Sequence, residues 1–148
     1  MRIPLSAVAL LFLLLPMGTL RADLKRALAE PNLEKRSGLA LENAAAALKS
    51  ARANYDKGDN DQVAQDAAEI MESVDLAARS LTESGKNPRR SDWFKKAEIS
   101  TRDLSRRIQS FQDDMSFTDR ALLDKLKARV QEVHDQLLLG VMEGKKKQ

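Results

Sequence analysis

The sequence predicts an all-α protein: an antiparallel up-down-up-down four-helix bundle preceded by a signal peptide. Three observations predict it. Beyond Asp23 no stretch alternates apolar and polar residues as a half-buried strand does. Four stretches instead repeat apolar or small residues every three or four positions, and the breaks between them are short and carry capping residues. The 148 residues suit one domain, and a composition 32% charged, 43% hydrophobic and only 4% aromatic is that of a helical bundle.

The N-terminus reads as a targeting segment. Arg2 is followed by an almost unbroken apolar run from Ile3 to Leu15, then by Pro16, Gly18 and Thr19. That order, ending in the small residue Ala22, is the order of a secretory signal peptide over residues 1–22, cleaved after Ala22. An uncleaved membrane anchor is the rival reading, since Ile3 to Leu20 reaches the lower edge of a bilayer span. The protein is therefore expected to be exported, periplasmic or extracellular. Loss of residues 1–22 removes two arginines and lowers the formal net charge from +3 to +1. The basic balance of the whole chain is thus weak evidence for an acidic partner.

After a short amphipathic lead-in at 23–30, the bundle occupies 31–144 and a basic tail 145–148. The first helix, 31–57, carries Leu33, Ser37, Ala40, Leu41, Ala44, Leu48, Ala51 and Tyr55 on one side. Its alanines, clustered at 44–47, should let it approach its neighbours closely. Gly58 suits a left-handed helix end, and Asp59 with Gln62 spells a capping box for the second helix, 59–84. The stripe there is Val63, Ala67, Ile70, Val74, Ala77 and Leu81. Gly85, Asn87 and Pro88 form the next break, with Pro88 placed to begin the third helix, 88–115. Phe94, Ala97, Thr101, Leu104, Ile108, Phe111 and Met115 mark its buried side. Thr118 is placed to cap the fourth helix, 118–143, with Phe117 packing on Leu122 as a hydrophobic staple. Its stripe is Leu122, Leu126, Val130, Val133, Leu137 and Val141. Rods of about 38 Å joined by short turns run antiparallel to their predecessors. The alternative is a pair of helical hairpins that dimerises to finish its core.

The turn Tyr55-Asp56-Lys57-Gly58-Asp59 between two alanine-rich helices resembles the helix junction of a tetratricopeptide repeat, over residues 44–78. Val63 stands where that pattern takes a small residue, Asp75 stands near its proline, and no 34-residue period follows. The whole chain resembles exported all-helical bacterial proteins, a likeness that implies no activity.

Chemistry-bearing groups are scarce. With no cysteine, thiolate nucleophiles, iron–sulfur clusters and zinc fingers are excluded. His134 is the one histidine; Gln131 stands where a di-iron helix needs glutamate, and Leu138 where a zinc helix needs a second histidine. It reads as a satisfied residue at the bundle edge. Asp56, Asp59 and Asp61 lack calcium-loop spacing and read as capping and solvation. No phosphate loop, nucleophile elbow or kinase signature occurs. Neither catalysis nor a cofactor or metal is expected.

The segment that invites a functional reading is the second break, with Lys86, Arg89, Arg90, Lys95 and Lys96 around the sole tryptophan, Trp93. Arginines at a helix start suit a phosphate or carboxylate, and a tryptophan among cations suits a membrane interface. Residues 86–107 hold eight basic residues against three acids, whereas 59–83 hold seven acids against one arginine. Complementary charge between these antiparallel helices accounts for most of the pattern. The leading expectation is a non-enzymatic interaction or scaffold protein that binds another protein through a helix face. The alternative is a module for anionic lipid or polysaccharide using the basic turn. Nucleic acid is disfavoured by export and near-neutral charge. A homo-oligomer follows if four stripes of this width do not all close internally.

Overall fold

The computed structural model describes the backbone of residues 19–144 and the side chains of 24–144. Residues 1–18, which hold most of the signal-peptide reading, and the tail 145–148 lie outside the described residues. The elements are α1 (Thr19–Ala29), α2 (Leu33–Asp56), α3 (Asn60–Glu83), α4 (Asp92–Asp114), a 3-10 turn (Asp119–Leu123) and α5 (Asp124–Glu143). The four long helices α2–α5 form an up-down-up-down bundle. α1 begins four residues before the expected lead-in, because nothing between Thr19 and Ala29 breaks a helix; it buries Ala27 against the core.

Short hydrogen bonds and close contacts fix the arrangement. Near one end Gly38 of α2 meets Trp93 at the start of α4; near the other, the Tyr55 and Phe111 rings lie edge to face with centroids 5.8 Å apart. α2 and α4 therefore run parallel, side by side. Asn60 meets Asp119 and Asp75 meets Arg129, so α3 and α5 do the same. The molecule is two helical hairpins, α2–α3 and α4–α5, laid against each other. α3 and α4 lie across the diagonal and barely touch.

This placement corrects two expectations. The third long helix starts at Asp92 rather than Pro88, because Ser91 supplies the cap, accepting from the Phe94 N–H at 3.5 Å. The connection is thereby long enough to cross the end of the bundle diagonally. Along its path Lys86 lies 4.0 Å from Glu34 of α2, and Pro88 packs on Gly140 of α5, where a methyl group would stand 3.2 Å from the proline Cβ. The acids of α3 consequently do not pair with the cations of α4. Among the described residues, the ion pair from α3 is Asp75 with Arg129 of α5, N to O 2.6 Å. That hydrogen bond, and after it the bond to Glu132, raise the Arg129 guanidinium above its ordinary pKa.

The core follows the stripes. Val63, Ile70, Val74, Leu81, Ile108, Phe111, Val130 and Val133 are each at most 1% exposed, and each such side chain contributes about 1.5–3 kcal/mol. Ala40, Ala44, Ala47 and Ala51 are fully buried on α2, and α2 and α3 share the most extensive interface of the molecule. Small side chains bring the two backbones together, as the alanine cluster predicted. Polar groups interrupt this interface. Asn43 donates to Ser73 Oγ at 2.9 Å and to Glu69 at 3.2 Å, and buried Asp66 accepts from Asn54 at 2.8 Å and Gln62 at 3.0 Å.

The turn at Gly58 (φ 76°) forms as expected, and Asp59 accepts from the Gln62 N–H at 3.1 Å. The reciprocal half of the capping box is missing: the Asp59 N–H donates to the Asn54 carbonyl at 3.0 Å, and the Gln62 amide turns to Asp66. At the α4–α5 turn the staple is missing as well: Phe117 is 87% exposed and Thr118 makes no side-chain cap bond. Asp119 is engaged elsewhere. Its carboxylate accepts from the Tyr55 hydroxyl at 3.0 Å, Ser116 Oγ at 2.7 Å and Asn60 Nδ2 at 3.3 Å, while the Ser116 N–H donates to Tyr55 Oη at 2.9 Å. Gln112 holds the following 3-10 turn by donating to the Arg120 carbonyl at 2.9 Å and to Asp124 at 2.6 Å. The tighter turn rotates Leu123 fully into the core beside the half-buried Leu122.

Tyr55 thus ties the α2–α3 hairpin to the turn of the other hairpin. Tyr55→Phe removes the donor to Asp119 and the acceptor for Ser116 while keeping the ring on Phe111. A stability loss of about 1–2 kcal/mol is expected, read as a lower urea midpoint with unchanged slope. An unaltered midpoint would show that the hydroxyl does not hold the hairpins together.

Candidate interaction surface

The six residues of the basic turn do not converge on one point. Lys86 faces Glu34 on α2, and Lys95 lies 3.9 Å from Asp92 one turn back. Arg89 lies over the end of α5, where a methyl group on Gly144 would stand 3.5 Å from its Cβ. Arg90 is exposed, and neither arginine has a carboxylate within salt-bridge distance among the described residues. Trp93 and Lys96 face another way, toward α2, with the Lys96 ammonium 5.0 Å above the indole. A cation over an exposed ring contributes about 0.5–1 kcal/mol.

That second direction leads into a trough. Between α2 and α4 lies an open hollow of about 510 Å³, floored by Gly38, Leu41 and Ala45 of α2 and walled by Trp93, Ala97, Ile99, Ser100 and Leu104 of α4. The two parallel helices touch at both ends, through Trp93 on Gly38 and through Arg52 with Asp114 and Tyr55 with Phe111. Between those points the small side chains of Ala45, Ala97 and Ser100, with Gly38, leave the seam open above the buried Leu41 and Leu104. A second hollow of about 380 Å³ continues past Trp93 to Arg26 and Pro31, between α1 and α2. Ile99 stands 54% exposed on the rim. Lys96 and Arg107, with Glu42 and Asp103, give the rim both signs of charge.

None of the trough residues except Trp93 and Lys96 belongs to the expected site. The usable signals were Gly38 inside a helix, which marks a close approach, and Ile99, an apolar residue off the stripe of its own helix.

His134 sits at the α4–α5 seam. Nε2 lies 3.1 Å from Glu98 and Nδ1 3.3 Å from Asp135, with the His134 and Glu98 side chains each 11% exposed. Arg102 stands 3.7 Å from the same Glu98 oxygen. This is a hydrogen-bonded boundary histidine, and it does not line the trough. Asp56, Asp59 and Asp61 are all exposed around their turn. Among the described residues no group of three or more His, Cys, Asp or Glu side chains is placed to hold a metal ion, and no helix is long and apolar enough to cross a membrane.

No family model, curated protein sequence or solved structure matches this chain.

The trough rests on one glycine. A Cβ on Gly38 would stand 2.8 Å from Trp93 Cζ3, too close for a rigid ring. Gly38→Ala gains up to about 1 kcal/mol of helix propensity, but overpacking costs about 1–3 kcal/mol. Net destabilisation of about 1 kcal/mol is expected, with a red shift of the Trp93 emission as the indole is levered into water. An unshifted spectrum with a raised melting temperature would show that the ring does not rest on Gly38.

Proposed function

We propose that the chain is an exported, non-enzymatic interaction protein of the cell envelope that binds another protein through the face shared by α2 and α4. The observation that carries this reading is the open trough: an apolar, small-residue floor with a partly exposed tryptophan and isoleucine on its wall. A surface of that kind is stabilised by covering it, and its length, about three to four helical turns, suits a helix. The targeting pattern of residues 1–22 supports the envelope as the place. The test is a photo-reactive amino acid in place of Ser100, introduced into the full chain and irradiated in the native envelope. A discrete protein adduct is expected, absent when the same probe replaces exposed Gln136 on α5. No adduct above that control would remove the reading.

A second reading keeps the basic turn. Arg89 and Arg90 lack carboxylate partners among the described residues and suit an anionic lipid or polysaccharide. Co-sedimentation with phosphatidylglycerol vesicles that fades with salt and drops at least fivefold in R89A/R90A would favour it. Equal sedimentation of both forms would return the two arginines to solvation.

A further inference from the structure

The trough face of α4 is complementary to itself. Asp92, Lys96, Ile99, Ser100, Asp103 and Arg107 follow one another at intervals of four, three, one, three and four residues. At 100° per residue they fall on one stripe of the helix, and all six are exposed. The signs along the stripe alternate: acid, base, the apolar centre, acid, base. Reversing the stripe end for end about a point between Ile99 and Ser100 sets Lys96 level with Asp103 and Asp92 level with Arg107. Every charge then meets its opposite, and Ile99 falls level with Ser100 of the second copy, one residue from its own copy at the centre.

We propose that the occupant of the trough is a second copy of this chain, with α4 laid antiparallel on α4 about a two-fold axis beside Ile99. The proposal rests on the reading of the α2–α4 face as a protein-binding surface and names its partner. A two-fold contact must be self-complementary, since each residue pair occurs twice. Here the four ion pairs are Lys96 with Asp103 of the second copy, Asp92 with Arg107 of the second copy, and their two symmetry mates. The partners these groups have inside one chain are weak: Asp92 lies 3.9 Å from Lys95 and Asp103 3.6 Å from Arg106, all on the solvated surface. Lys96 and Arg107 have no carboxylate partner among the described residues. The second α4 covers Ile99 and the hollow over Ala45 and Ala97, so apolar burial supplies affinity while the charges fix direction and register. A parallel pairing, by contrast, sets like charges side by side.

The chain has no cysteine, so Ile99→Cys introduces a sole thiol beside the axis. In the full chain under mild oxidation, I99C is expected to yield a disulfide-linked dimer at least tenfold above Q136C, whose thiol lies on α5. Adding D103K places two lysines opposite each other twice and should cut the dimer at least fivefold. Adding K96D to that variant exchanges the signs and should restore it. Cross-linking of I99C no greater than that of Q136C would overturn the proposal, as would a double exchange that fails to recover the dimer. The photo-adduct at Ser100 separates the two levels: an adduct with a different protein sinks the second copy and leaves the binding face standing, whereas no adduct sinks both.

Discussion

A helix of ordinary side chains can approach one or two neighbours closely; α2 must approach three. It packs against α1, α3 and α4, and it meets that demand by being made small. Four fully buried alanines face the interior, and a glycine lies under the indole of Trp93. Little of the core volume comes from α2 itself. Ile70, Val74 and Leu81 from α3, and Phe111 and Ile108 from α4, supply it instead. The bundle is therefore organised around a thin central rod whose contacts depend on distance more than on bulk, and any added methyl group there is felt by two partners at once.

Thinness also explains the polar groups at the α2–α3 interface. Alanine packing is permissive about register, because one alanine resembles the next. Asn43 and Ser73, with the Asn54, Gln62 and Asp66 cluster toward the turn, are not interchangeable with their neighbours. Displacing the helices along each other would strand a buried amide or carboxylate, at a cost of roughly 1–3 kcal/mol for each group left unpaired. Even in place the arrangement leaves Asn43 Oδ1 and Ser80 Oγ without a protein partner. The hairpin gives up some stability for a single register, and Tyr55 then couples that register to the second hairpin.

Most of the fold was legible because apolar spacing reports it directly. Val63 to Leu81 and Phe94 to Met115 are buried at every position the three-four rhythm named. What was not legible were choices between equally plausible local partners. Gln62 could complete a cap or reach Asp66 one turn on in the same helix, and it is the folded hairpin, through Asn54 of α2, that holds Asp66 in place to receive it. Thr118 spells a cap, but Asp119 beside it is captured by Tyr55, 64 positions earlier in the chain. Pro88 can begin a helix, yet Ser91 is the better cap. That difference of a few residues turned a tight turn into a diagonal crossing and placed α4 beside α2 rather than beside α3. The trough was invisible for the same reason. Its two walls belong to helices that are not consecutive, so Gly38 and Ile99 carried signals whose meaning depends on which helix lies opposite.

The diagonal crossing has an electrostatic consequence. In a bundle where sequence neighbours alternate around the square, each helix dipole lies between two opposed ones and the field at either end largely cancels. Here α2 and α4 are adjacent and parallel, as are α3 and α5, so each end is divided into a half with two amino termini and a half with two carboxyl termini. Each such terminus carries about half an elementary charge. The side chains sort accordingly: Glu34 and Asp92 stand in the first turns of α2 and α4, while Arg89 is folded across to the last turn of α5. Part of the charge at this end is thus a counterion shell for the backbone, distributed by polarity rather than by proximity along the chain.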